Sequence, residues 1–113
     1  MFKKNYEFRR ILSKGKYYSG KYIEAFIQKN NKNFNFLGIA ISVKIAKAVR
    51  RNKIKRLIRE NYRIIENDIN LGYDIVFLCK KKVDISDISF ENVKEDIYFI
   101  FDKVGILKNK GNI

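Results

Sequence analysis

The stretch GIAISVKIAKAVRRNKIKRLIRE, residues 38–60, changes its hydrophobic period midway. Read with the two residues before it, as FLGIAISV, its first part sets Leu37, Ile39, Ile41 and Val43 against Gly38, Ala40 and Ser42, the period of two expected of a strand. From about residue 47 to 67 the period becomes helical: Ile54, Leu57, Ile58, Tyr62 and Ile65 fall on one stripe, and Asn52, Arg56, Arg59 and Arg63 on the opposite side. A strand that runs into a long amphipathic helix is the first half of a βαβ unit. The helix has a core face and an almost purely cationic face. Glu60 is the only acid between Lys44 and Arg63, so the i±4 acid partners of an ordinary exposed helix are missing.

Working outward, YDIVFLC (73–79) is a continuous apolar run rich in β-branched and aromatic residues, which predicts a strand covered on both faces, central or parallel to a neighbour. SFENVKEDIYFIFDKVG (89–105) spaces Phe90, Val93, Ile97, Ile100, Phe101 and Val104 as a helix, with Ser89 at the N-cap and Gly105 at the stop. KYIEAFIQK (21–29) alternates, with Ile23, Ala25 and Ile27 toward a core and Tyr22, Glu24, Phe26 and Gln28 away from it. A first helix is expected before Gly15, with Phe8 and Leu12 on a shared face. The order is helix, two or three strands, long basic helix, strand, helix: an α+β chain. At 113 residues without repeats or linkers, it is expected to form a single domain over residues 1–113.

Charge is unevenly placed. Residues 1–63 carry 18 Lys and Arg against Glu7, Glu24 and Glu60, whereas residues 64–113 carry 7 against 9 Asp and Glu. A field of one sign confined to one region suits a polyanion, because each neutralised phosphate releases counterions. A hydrophobic content of 46% argues against disorder, and the absence of histidine removes the commonest general base and zinc ligand. The lone Cys79 sits in an apolar run and reads as core. No run of about 18 apolar residues occurs, and the first ten residues lack an apolar signal region, so a cytoplasmic protein with no membrane partner is expected. The small face Gly38, Ala40 and Ser42, rimmed by Tyr22 and Phe26, admits two readings from pattern alone: a helix packs there, or an extended chain lies close to the backbone.

Residues 38–60 resemble the protein subunit of bacterial ribonuclease P. Its pattern is a strand G-x-S-V-S-K-K, a turn K-x-G-x-A-V, and R-N-R-x-K-R-x-x-R on a helix, and weaker similarity extends over nearly the whole chain. The resemblance implies an α-β-β-β-α-β-α two-layer sandwich with a left-handed βαβ crossover, an exception to the usual hand. It implies an endoribonuclease subunit that joins a catalytic RNA and promotes removal of the 5′ leader of precursor tRNA. In that picture Mg2+ is held mainly by the RNA, the protein supplies no catalytic residue, and one protein pairs with one RNA.

Carried over by position, the catalytic-RNA surface falls on Arg51, Asn52, Lys53, Lys55, Arg56 and Arg59, extended by Lys44 and Lys47. The leader cleft falls on Phe8, Leu12 and Phe26, with Tyr22 added from strand alternation, and the resemblance favours the single-strand reading of the small face. Some positions depart from the pattern. Lys53 stands for Arg and loses bidentate geometry, Val43 replaces a common Lys, and Leu12 replaces a frequent aromatic. Ala46 replaces a usual Gly, so the turn there either needs no positive φ or is slightly strained. Two rival classes remain: a structural nucleic-acid binder acting by charge alone, and a protein-only nuclease, for which the acids of the basic half are too scattered.

Overall fold

The computed structural model describes residues 5–108. The elements are α1 (Asn5–Lys14), β1 (Lys16–Ser19), β2 (Ile23–Lys29), β3 (Phe36–Ala40), α2 (Ala48–Ile65), β4 (Tyr73–Cys79) and α3 (Phe90–Val104), with short 3-10 turns at Glu66–Asp68 and Ile85–Asp87. The sheet order is β1-β2-β4-β3. β1 and β2 pair antiparallel, as do β2 and β4, while β3 lies parallel to β4 across the α2 crossover. This is the expected α+β order, and β4 is both central and parallel to a neighbour.

The register sorts the sheet into two faces. Tyr18, Ala25, Phe77 and Ile39 form one row of the inner face, flanked by the row of Ile27, Ile75 and Leu37. The buried stripes of α2 and α3 cover this face in one cluster. Phe101 of α3 joins the layers, with its ring 5.9 Å from that of Phe77 and 6.4 Å from that of Tyr62 on α2. Each large side chain so buried contributes roughly 1.5–3 kcal/mol. Asn61, the polar member of the α2 stripe, donates to Leu57 O (3.0 Å) and Phe90 O (3.2 Å), and so ties α2 to the start of α3. The α3 ends follow the sequence: Ser89 Oγ accepts from Asn92 N, and Gly105 closes the helix at φ 83°.

The outer face carries Tyr17, Phe26, Val76 and Gly38 in one row, and Ser19, Glu24, Leu78 and Ala40 in the next. Ile11 of α1 and Val76 of β4 are buried yet stand apart from the main cluster, and a small cavity of about 180 Å³ is lined by Arg10 and Ile11 together with Gln28, Phe36 and Asp74. Helix α1 therefore packs on the outer face, opposite α2 and α3. A helix thus covers one end of the outer face, as one of the two readings of the small residues expects.

Three expectations are corrected. Val43 is not on the inner side of a long strand: β3 ends at Ala40 and Val43 is 72% exposed. Ser42 breaks the alternation by capturing the next amides, its Oγ accepting from Lys44 N (3.1 Å) and its carbonyl from Ile45 N (3.1 Å). For the same reason Ser42 drops out of the small strand face. Tyr22 is likewise displaced. It precedes β2, its N–H donates to Asp96 of α3 at 2.7 Å, and its side chain packs against the inner cluster.

Candidate nucleic-acid interface

Helix α2 starts without help. Lys47 at its N-cap makes no side-chain cap, and no acid stands in the first turn, where Arg50 and Arg51 oppose the helix dipole instead. Such a placement costs about 0.3–1 kcal/mol per charge at an exposed end. The buried stripe of Ile54, Leu57, Ile58, Tyr62 and Ile65 outweighs it several-fold. Packing thus holds in place a cationic helix start that propensity alone would disfavour.

On the solvent side Asn52, Lys53 and Arg56 are exposed and Lys55 and Arg59 half-buried, and with Val49 they line one shallow, open depression without a carboxylate. Five of the residues carried over for RNA docking are thereby brought together. Lys44 and Lys47 are exposed on the turn leading into the helix. Arg51 differs, being half-buried with Nη1 donating to Ala46 O at 2.8 Å, so it closes the turn before α2 as well as adding charge. Ala46 fits there because Asn31 is the only non-glycine with positive φ among the described residues.

The second part is the open outer face of the sheet. Phe8 and Leu12, both half-buried, ride on α1, which packs across β2 and β4, while Phe26 and the small Gly38 and Ala40 lie on the sheet. β3 is an edge strand and leads through residues 41–47 into α2, so the groove edge continues into the turn that carries Lys44 and Lys47.

Sequence reasoning missed Tyr17. It is half exposed, its ring centroid lies 5.3 Å from that of Phe26 at an interplanar angle of 55°, and its hydroxyl donates to Glu24 Oε2 at 2.6 Å. That hydrogen bond is the main cause holding the Tyr17 pKa above its ordinary value. The segment KYYS is too short to show a period, and only the pairing Tyr17↔Phe26 reveals the face. Tyr17 thus takes the place beside Phe26 that alternation assigned to Tyr22.

The hairpin carrying Tyr17 is fixed from α3. The buried Asp96 carboxylate accepts from the backbone N–H of Lys21 (2.9 Å), Tyr22 (2.7 Å) and Ile23 (2.9 Å). Gly20 permits this approach, since a Cβ there would lie 2.4 Å from Asp96 Cγ. Cys79 is buried on the inner face, and burial, with the charge of Glu24 adding, pushes its thiol up to about 11. It is a packed thiol and a poor nucleophile.

Among the described residues, no group of three or more Cys, Asp or Glu is placed to hold a metal ion, and no helix is long and apolar enough to cross a membrane.

The sequence pattern of the family described as Ribonuclease P matches residues 1–105. A ribonuclease P protein component from Clostridium botulinum (strain 657 / Type Ba4) is 38% identical over 105 residues, covering 92% of this chain and 93% of the relative. Another from Clostridioides difficile (strain 630) is 38% identical over 96 residues, 84% of this chain and 82% of that one. Among solved structures, the RNase P protein of Staphylococcus aureus superposes with a TM-score of 0.81 at 29% identity, covering 95% of this chain and 96% of that one. That of Thermotoga maritima gives 0.78 at 32%, with 86% and 90% covered.

Proposed function

This chain belongs to the ribonuclease P protein family, and from that premise we propose that it binds the catalytic RNA through α2 and the 5′ leader of precursor tRNA through the open outer face of its sheet. The family makes it a protein component of an endoribonuclease with an RNA partner. The finer assignment is carried by one observation: Asn52, Lys53, Lys55, Arg56 and Arg59 line a single depression that no carboxylate enters. Guanidinium and ammonium groups there meet phosphates without competition from the protein's own acids.

The leader role is supported by the chemistry of the other surface. The small Ala40, half-buried at the end of β3, lets a chain approach the sheet, and Phe26, Tyr17, Phe8 and Leu12 offer apolar and aromatic area for unpaired bases. Stacking on an engaged aromatic is worth roughly 1–3 kcal/mol per base. The protein's share of the reaction is then to position the leader while the RNA performs the cleavage. On this reading Mg2+ would be held by the RNA, and no protein side chain would be catalytic. One protein would serve one RNA, in the cytoplasm where precursors are processed.

Adding the purified protein to a bacterial ribonuclease P RNA at low magnesium is expected to raise cleavage of precursor tRNA while leaving affinity for mature tRNA unchanged. An RNA whose cleavage is indifferent to the protein would overturn the reading. Competition by double-stranded DNA as effective as that of leader-bearing RNA would favour a binder acting by charge alone.

A further inference from the structure

The outer face holds one feature that a surface for polyanions should avoid, a carboxylate. Its acids are Glu24 and Asp74. Asp74 is buried and both its oxygens are occupied, Oδ1 by Asn30 Nδ2 (2.9 Å) and Oδ2 by Gln28 Nε2 (3.1 Å). Glu24 is half-buried, and among the described residues only the Tyr17 hydroxyl donates to it, on Oε2, so Oε1 remains open. A free carboxylate oxygen repels phosphates, and a strand lying along this face turns its backbone away from it and its base edges toward it.

The groups around Glu24 share its polarity as hydrogen-bonding partners. The Tyr17 hydroxyl donates to Glu24 and the Ser19 hydroxyl donates to Gly20 O at 3.0 Å, so neither proton is offered to the groove. Gly20 O also takes the Lys80 ammonium at 3.2 Å, which holds that cation on the backbone. The floor beside the Tyr17 and Phe26 rings is therefore rich in acceptors. Of the four bases, guanine presents two adjacent donors on its Watson–Crick edge, N1–H and the N2 amino group. Uracil presents one N–H between two carbonyl oxygens, which would face acceptors with acceptors.

We propose that Glu24 is a specificity determinant of the leader groove, accepting hydrogen bonds from the donor edge of one leader base seated against Phe26 and Tyr17, with guanine the most favoured base and uracil the least. The inference rests on the leader-binding reading and names what that groove selects. A carboxylate serving only to brace the β1–β2 hairpin through Tyr17 would affect stability and leave base preference untouched.

The test uses the protein reconstituted with a bacterial ribonuclease P RNA, and precursor tRNAs whose uracil leader carries one guanine moved position by position. The wild-type protein is expected to bind one of these about tenfold more tightly than the all-uracil leader. Glu24→Gln, whose amide offers a donor as well as an acceptor, should reduce that ratio to about twofold or less. Glu24→Asp keeps the acceptor and should retain the order of preference, as should Tyr17→Phe, which frees the second oxygen. Retention of the full guanine preference by Glu24→Gln overturns the proposal, as does a leader effect with no base preference anywhere. Equal binding of leader-bearing and leaderless substrates by the wild type removes the groove reading itself, and the proposal falls with it.

Discussion

Asp96 on α3 faces Gly20 in the β1–β2 turn, and only the missing side chain of the glycine lets the carboxylate reach the amides of Lys21, Tyr22 and Ile23. This contact sets the hairpin that carries Tyr17 and Phe26 against the helical layer. Asp96→Ala leaves three N–H groups without their partner, two of them part-buried and that of Ile23 buried. A hydrogen bond to a charged group is worth about 1.5–3 kcal/mol, so a loss of at least ~3 kcal/mol is expected, read as a fall of more than about 10 °C in Tm. Gly20→Ala should be destabilising through the same contact. A melting curve for Asp96→Ala within a few degrees of the wild type would show that the hairpin holds without α3.

Arg56 and Arg59 should separate from Arg51. Arg56→Ala or Arg59→Ala removes charge from the open depression, so each is expected to weaken RNA binding and lower the slope of log K against log salt by about one, with unfolding unchanged within ~0.5 kcal/mol. Arg51→Ala also breaks the bond to Ala46 O that closes the turn, at a cost of about 1 kcal/mol of stability. Salt titrations paired with urea unfolding distinguish the two kinds of arginine.

Phe26→Ala should lower affinity for leader-bearing substrate by about tenfold or more while sparing a leaderless one, since its ring stands on the open face beside Tyr17. Equal losses on both substrates would place the ring's contribution in folding instead.

Cys79 makes stability depend on pH at the alkaline end. Its folded pKa is raised from 9.0 to about 11, so the folded state holds the proton more tightly than the unfolded chain. The resulting stabilisation is complete below the unfolded value and is lost as pH rises from about 9 to about 11. Tyr17, raised by its bond to Glu24, acts in the same direction from its ordinary value of 10.0 upward. Urea midpoints between pH 8 and 11 should fall, and fall less in Cys79→Ala, whose own cavity lowers the whole curve. A thiol reagent at pH 8 should modify Cys79 only at the rate of unfolding.

How much of this could be read from the sequence depended on how local each signal was. The stripe of Ile54, Leu57, Ile58, Tyr62 and Ile65 declares α2, its buried side and, by subtraction, its cationic side, because a helix repeats its neighbours every turn. The run 73–79 declares a strand covered on both faces in the same way, and Ser89 and Gly105 mark the ends of α3. The motif spacing around Arg51–Arg59 carried the family.

Only the tertiary structure decided what lies on the groove face. A four-residue strand such as β1 has no period to read, so Tyr17 and Glu24 came together only through strand register. Tyr22 has the right parity but left the face because Asp96, far along the chain, holds its amide. Val43 has the right parity too, and Ser42 ended the strand before reaching it. Local patterning states which residues want burial or solvent, whereas contacts between distant segments choose which of them share a surface.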